Sequence, residues 1–424
     1  VINLVHSQNY TNTNMLSFKS FLTEEKNLHM QHIEDLVFLE GVAGTRKAIN
    51  FLRDMRNMLA GHSNNKVTVT SKWDGSPSLF CGIDPSDGKF FVAKKGIFNK
   101  NPKIYKTDEE IDADTSGDLA EKFKIALRNF KKLGIKSGVY QGDLMFTKGD
   151  LKTEIIDDEK YTTFHPNTIV YAVPYKSDLA KKIRAAEIGV VWHTTYTGDT
   201  FETMTATFGK SIIDKLKSSP TVWMDDASYR DYTGVATFTA AETEYVTSLL
   251  ATIGTLFHEV SAGCLNYISN DEDLLQLVMS FNNSKVRGGR AITNPKQHVK
   301  ELFVWIHDRY QKEIDAKKTE KGKQGWEEKR KKILSFFANH DQAEIAKIFE
   351  LSVLLDKVKQ PIIEKMNKAA SLKTFLKTKS GFEVTGVEGY VAIDTLSNHA
   401  VKLVDRMEFS RANFSDSILK GWQR

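Results

Sequence analysis

The apolar period of this chain changes twice, and those two changes limit its fold more than any other feature. From Val67 to His193 the pattern is mostly short apolar runs of strand length, from about Ala240 to Leu376 it is helical almost throughout, and from Phe382 strands return. A β-rich unit interrupted by a helical insertion of more than a hundred residues satisfies both changes. Val67, Thr68, Val69 and Thr70 alternate, and residues 79–83 and 89–93 read as a strand pair. Between them, Asp84, Pro85, Ser86, Asp87 and Gly88 supply a hairpin loop. Further strands are expected at 138–146, 168–173, 188–193, 388–393 and 400–404, and helices at 119–133, 179–186, 242–268, 298–314 and 326–358. Residues 32–59 read as two helical pieces broken near Gly41, preceded by a polar leader over residues 1–30.

The 424 residues, 41% hydrophobic and 27% charged, suit a globular protein of two or three domains. Two cysteines, Cys81 and Cys264, cannot form a disulfide framework or a four-cysteine zinc site, so they read as buried filler in a reducing compartment. No run of about 18 apolar residues suggests a membrane partner, and a cytoplasmic location is expected. A net charge of +5 permits a polyanion partner without requiring one. Lys317, Lys318, Lys321, Lys323, Lys329, Arg330, Lys331 and Lys332, broken by Glu320, Glu327 and Glu328, read as an exposed helix face. That face is either plainly solvated or a nucleic-acid contact.

Chemistry concentrates at Lys72, directly after the first strand and followed by Trp73, Asp74 and Gly75. A lysine amine attacks a phosphorus only when deprotonated, and its pKa in water is about 10.4. Neighbouring cations such as Lys94, Lys95 and Lys402 lower it. A magnesium ion on the phosphates needs oxygen ligands, for which Asp143 and Glu388 are candidates. Gly41 to Lys47 imitates a phosphate loop but has Arg46 and Ala48 where glycine and a hydroxyl are required, so it reads as a turn between helices. The eleven histidines show no zinc spacing, and His193 reads as a strand-end histidine within reach of a phosphate.

In order and setting these residues resemble the covalent nucleotidyltransferase superfamily of polynucleotide ligases and capping enzymes. Lys72-Trp73-Asp74-Gly75-Ser76 looks like its first motif. Lys94-Lys95-Gly96 falls where the family often has a basic residue and a glycine. Gly142-Asp143-Leu144 is similar to the third motif, Tyr171 lies on the strand that lends an aromatic to the base, and Trp192 is a second candidate for that role. Glu388-Gly389-Tyr390-Val391-Ala392 and Val401-Lys402-Leu403-Val404 look like the fourth and fifth motifs. The resemblance covers roughly residues 66–205 and 380–406.

It implies an α+β fold: an antiparallel β-sheet nucleotidyltransferase domain, ATP-grasp-like, over residues 31–210 and 380–424. A mainly helical insertion over 211–379 is a possible nucleic-acid-binding domain. Eighteen residues after Arg406 are too few for a C-terminal oligonucleotide-binding barrel, which makes a capping enzyme the less favoured relative. The implied activity is ATP-dependent joining of 5′-phosphate and 3′-hydroxyl ends of RNA or DNA through a lysyl-AMP on Lys72. Glu388 and Lys402 are then catalytic, and Thr70, Asp74, Gly75, Lys95, Asp143, Tyr171, Trp192 and Lys402 bind the nucleotide. Mg²⁺ is held by Glu388 and Asp143. Asp143 replaces the usual glutamate, Val404 replaces a second lysine for which Arg406 is a candidate substitute, and Pro77 stands where DNA ligases have arginine. The motifs at Lys72 and Glu388 look closer to those of phage RNA ligases than of DNA ligases, which implies a viral protein, expected to be monomeric, in a bacterial cytoplasm. Another acceptor chemistry of the same superfamily, or a non-catalytic nucleic-acid-binding protein, are the competing readings.

Overall fold

The computed structural model describes residues 30–62, 67–208, 211–229, 236–368, 372–394 and 399–422; the expected leader lies outside them apart from Met30. The fold is mixed, with mainly antiparallel sheets. In chain order the strands are β1 (Gln31–His32), β2 (Val67–Lys72), β3 (Ser78–Ile83), β4 (Phe90–Ala93), β5 (Ile104–Tyr105), β6 (Val139–Thr147), β7 (Lys152–Ile156) and β8 (Glu159–Phe164). There follow β9 (Ile169–Pro174), β10 (Ile188–Thr197), β11 (Thr205–Phe208), β12 (Val222–Asp226), β13 (Lys373–Thr378), β14 (Gly381–Val384), β15 (Gly389–Asp394) and β16 (Ala400–Leu403). The first sheet runs β1-β16-β15-β2, the second β11-β10-β6-β3-β4-β5 with β12 also on β10, and the third β14-β13-β9-β8-β7. Two pairings, β1 with β16 and β10 with β12, are parallel.

The helices are α1 (Leu36–Leu39), α2 (Gly41–Leu59), α3 (Asp108–Asp114), α4 (Gly117–Phe130), α5 (Asp178–Ala185) and α6 (Ala240–Glu259). They continue with α7 (Ala262–Asn270), α8 (Glu272–Arg287), α9 (Pro295–Asp315), α10 (Glu320–Asn339), α11 (Gln342–Asn367) and α12 (Arg406–Phe414). In α4, Ala120, Phe123, Ala126, Leu127 and Phe130 recur at helical spacing and are buried with Leu79, Val92, Leu144 and Trp192 of the second sheet. Two long helical segments are each cut by a polar residue that caps a new helix. Ser261 accepts the Cys264 N–H at 3.2 Å, and Asp341 accepts the Ala343 N–H at 2.9 Å. Among the described residues no single helix is long and apolar enough to cross a membrane.

The boundaries of the helical part differ from those expected at 211 and 379. β12 extends the second sheet and β13 pairs with β9 in the third, so the insertion spans α6 to α11. Nor is it a separate body. Phe38, Phe51 and Leu52 of α1 and α2, Val246, Leu302, Ile345, Phe349 and Leu355 of the insertion, and Val67, Tyr390, Ala392, Val401 and Leu403 of the first sheet share one apolar core. Side chains alternate across a strand. With Val67 and Val69, Tyr390 and Ala392, and Val401 and Leu403 turned to the helices, Thr70, Lys72, Val391, Ile393 and Lys402 are left on the opposite face.

Candidate active site

That opposite face is one wall of a cleft of ≈ 540 Å³, counting its open mouth. Thr70, Lys72, Val391 and Ile393 line it from the first sheet, Asp143, Val191, His193 and Phe208 from the second, with Met30, Trp73 and Ala227 at its margins. The segment after β12 joins the two walls, because Ser71 N–H donates to Ala227 O at 2.6 Å and Tyr229 N–H to Val69 O at 2.9 Å.

Strand register explains which side chains meet. Lys72 lies opposite Gly389, so the preceding Glu388 reaches its amine and forms a direct ion pair. Thr70 lies opposite Val391, and Val391 opposite Lys402, so the three form a row across β2, β15 and β16. Burial pushes the Glu388 carboxyl up to about 7; Lys72 opposes this, while Asp74 and Asp143 add to it. The Lys402 amine is held below the usual lysine range by burial and by Lys72, with Glu388 opposing and Lys95 adding to the depression. On the facing wall Asp143 Oδ1 lies 3.8 Å from His193 Nε2, whose ring partner Nδ1 is 2.7 Å from Thr194 Oγ1.

Four expected roles change. Trp192 is fully buried against Phe130 and Tyr140, because β10 turns Val191 and His193 to the cleft and Trp192 to α4. Tyr171 is buried as well and acts from behind: its ring stacks on Trp73 at 5.2 Å, and its hydroxyl accepts the Asp74 N–H at 2.8 Å. The Asp74 carboxylate is occupied by Asn167 Nδ2 (2.8 Å), Thr168 N (2.7 Å), Thr168 Oγ1 and Ile169 N (2.8 Å), so it anchors the Lys72 loop rather than facing a ligand. Arg406 is bound to Asp35 at 2.7 Å and Asn283 at 2.5 Å, which removes it as the substitute for a second lysine.

Gly75 works through close approach, since a Cβ there would stand 2.5 Å from Asp143 Cβ. Lys94 is committed to Asp114 at 2.6 Å, whereas exposed Lys95 acts on Lys402 by charge. Pro77 follows a cis peptide. The aromatic rings that do line the cleft are Trp73 and Phe208, which the sequence reading passed over. Asp143 and Glu388 present hard oxygen donors that fit a magnesium ion, Glu388 while also paired with Lys72.

Other readings settle differently. Gly41 to Lys47, expected as a turn, are the first residues of α2: the break between α1 and α2 is at Glu40, Gly41 starts α2 with φ 55°, and Lys47 reaches back to Glu40 at 2.7 Å. Four of the eight cations on the basic helix face are engaged locally: Lys317 with Glu313, Lys323 with Glu320, Lys332 with Asp271, and Arg330 with Gln311. Both cysteines are free and buried. Cys264, His340 and Glu344, remote in sequence, converge with ligand atoms within 4.8 Å of one another in the helical part, which spacing could not reveal.

The sequence pattern of a family of unknown function (DUF6267) matches residues 27–417. The chain belongs to that family. No curated protein and no solved structure matches it. The DUF6267 match takes in both sheet walls of the cleft and the whole helical insertion.

Proposed function

We propose that this protein is an ATP-dependent polynucleotide ligase that works through a lysyl-AMP on Lys72. The observation that carries the reading is Lys72 on the cleft wall in an ion pair with Glu388, with Lys402 beside Val391 on the same sheet and within reach of both their charges, and Asp143 and His193 on the facing wall. The apolar surfaces of Val191, Phe208, Val391 and Trp73 suit a planar base, and the cations suit phosphates.

In the first step the Lys72 nitrogen forms a bond to the α-phosphorus of ATP, the bond from that phosphorus to the bridging oxygen breaks, and pyrophosphate leaves. The amine gives up its proton, for which Glu388 is the adjacent acceptor. Lys402 offsets charge on the α-phosphate, and Asp143 with His193 is placed to meet ribose hydroxyls. A magnesium ion, when bound, supplies Lewis-acid stabilisation of the phosphate oxygens. In the second step the adenylyl group passes to a 5′-phosphate end. In the third a 3′-hydroxyl displaces AMP, forming the phosphodiester.

Incubation with labelled ATP, then with 5′-phosphorylated nicked or single-stranded RNA and DNA, tests the reading. Transfer of label from protein to nucleic acid followed by joined ends is expected, and lost in Lys72→Ala. Label that stays on the protein with every end offered contradicts a ligase and directs the search to another acceptor.

A further inference from the structure

The row Thr70, Val391, Lys402 does not stop at β16. It continues through the parallel pairing of β1, in which His32 lies opposite Lys402. Met30, immediately ahead of β1, lines the cleft. Burial, then the charges of Arg406, Lys359, Lys402 and Lys72, press the His32 imidazole down to about 2, so beside Lys402 it stands as a neutral ring.

A strand of two residues has little of its own to hold it in place. Its anchors lie just beyond it, where Asp35 binds Arg406 at 2.7 Å and buried Glu34 binds Lys359 Nζ at 2.9 Å. Lys359 belongs to α11, is wholly buried, and also pairs with Asp356 at 2.6 Å. An ammonium so deep is tolerated only while paired, and Glu34 and Asp356 are the two carboxylates that pair it, Glu34 as the link to β1. Without β1, β16 becomes a sheet edge, and edges fray.

Building on the nucleotidyltransferase reading, we propose that Lys359 is a positioning residue for the nucleotide site. Through Glu34 it docks β1 on β16, which fixes Lys402 and sets His32 beside it. The helical insertion thereby shapes the phosphate side of the cleft from behind the first sheet, whatever else it contacts.

The test compares the full chain with Lys359→Met, Lys359→Arg and, as a second way of breaking the contact, Glu34→Gln. Two quantities are read: the single-turnover rate of adduct formation with ATP and Mg²⁺, and amide hydrogen exchange over residues 400–403. Lys359→Met and Glu34→Gln are expected to raise exchange there and slow adduct formation by about tenfold or more. Lys359→Arg should stay nearer the unaltered protein. Partial unfolding alone lowers the amount labelled and leaves the rate constant unchanged, so unchanged rate constants overturn the proposal, as does exchange equal to that of the unaltered chain. If the unaltered protein forms no adduct, the nucleotidyltransferase reading fails while the exchange still decides the docking. Faster exchange in the variants then supports it, and equal exchange refutes it.

Discussion

A carboxylate as buried as that of Asp74 is defined by its donors, and here they come from the β8–β9 turn of the third sheet and the first residue of β9, Asn167 to Ile169. Replacing Asp74 with alanine strands two backbone N–H groups and a hydroxyl. The expected loss is on the order of 3 kcal/mol of stability, measured by urea denaturation. A variant with unchanged stability but weakened ATP binding would mean that Asp74 faces the ligand after all. Lys72, Glu388, Asp143 and Lys402 were singled out in the sequence by their order along the chain and by the motifs they resemble, each at or beside an expected strand. Trp192 and Tyr171 were misassigned for the converse cause. The runs Ile188 to Trp192 and Ile169 to Val173 are apolar on both faces, so nothing in the residues marks which side turns to the cleft.

Elements with strong periods were found where expected, and those supported by polar residues were not. The hairpin of β7 and β8 carries Lys152, Thr153, Glu154, Glu159 and Lys160 on a mostly exposed edge and turns at Asp157 and Asp158, with φ of 50° and 63°. That left-handed pair serves a two-residue turn, but two aspartates signal it weakly beside Asn-Gly. β1 escaped notice because two residues show no period. The helices also carry a buried titratable group. His298 on α9 bonds Asn282 at 2.8 Å, and burial, then Lys285, presses its ring down to about 4, with Glu301 opposing. Below pH about 6.5 the unfolded chain takes up a proton that the folded chain refuses. The stability tied to a neutral His298 is therefore full above that pH and drains away toward pH 4. The gap in urea midpoint between the unaltered protein and His298→Gln should narrow over that window. A gap independent of pH would contradict the assignment.

At the scale of the whole molecule, the split between strand and helix patterns was readable, but the way the two parts join was not. Sequence periodicity reports that a face is apolar, not what covers it. The first sheet turns one face to a core shared with the helices and the other to the cleft, so the insertion serves as the backing of the candidate site. In this arrangement a buried ammonium on α11 and the catalytic lysine candidate on β2 belong to one construction. The central claim, that Lys72 is the nucleophile of that cleft, is tested most directly by peptide mass spectrometry after incubation with ATP and Mg²⁺. One adenylyl group on the peptide containing Lys72, absent from Lys72→Ala, is the expected result; no adduct on the unaltered protein, or an adduct that persists in Lys72→Ala, would contradict it.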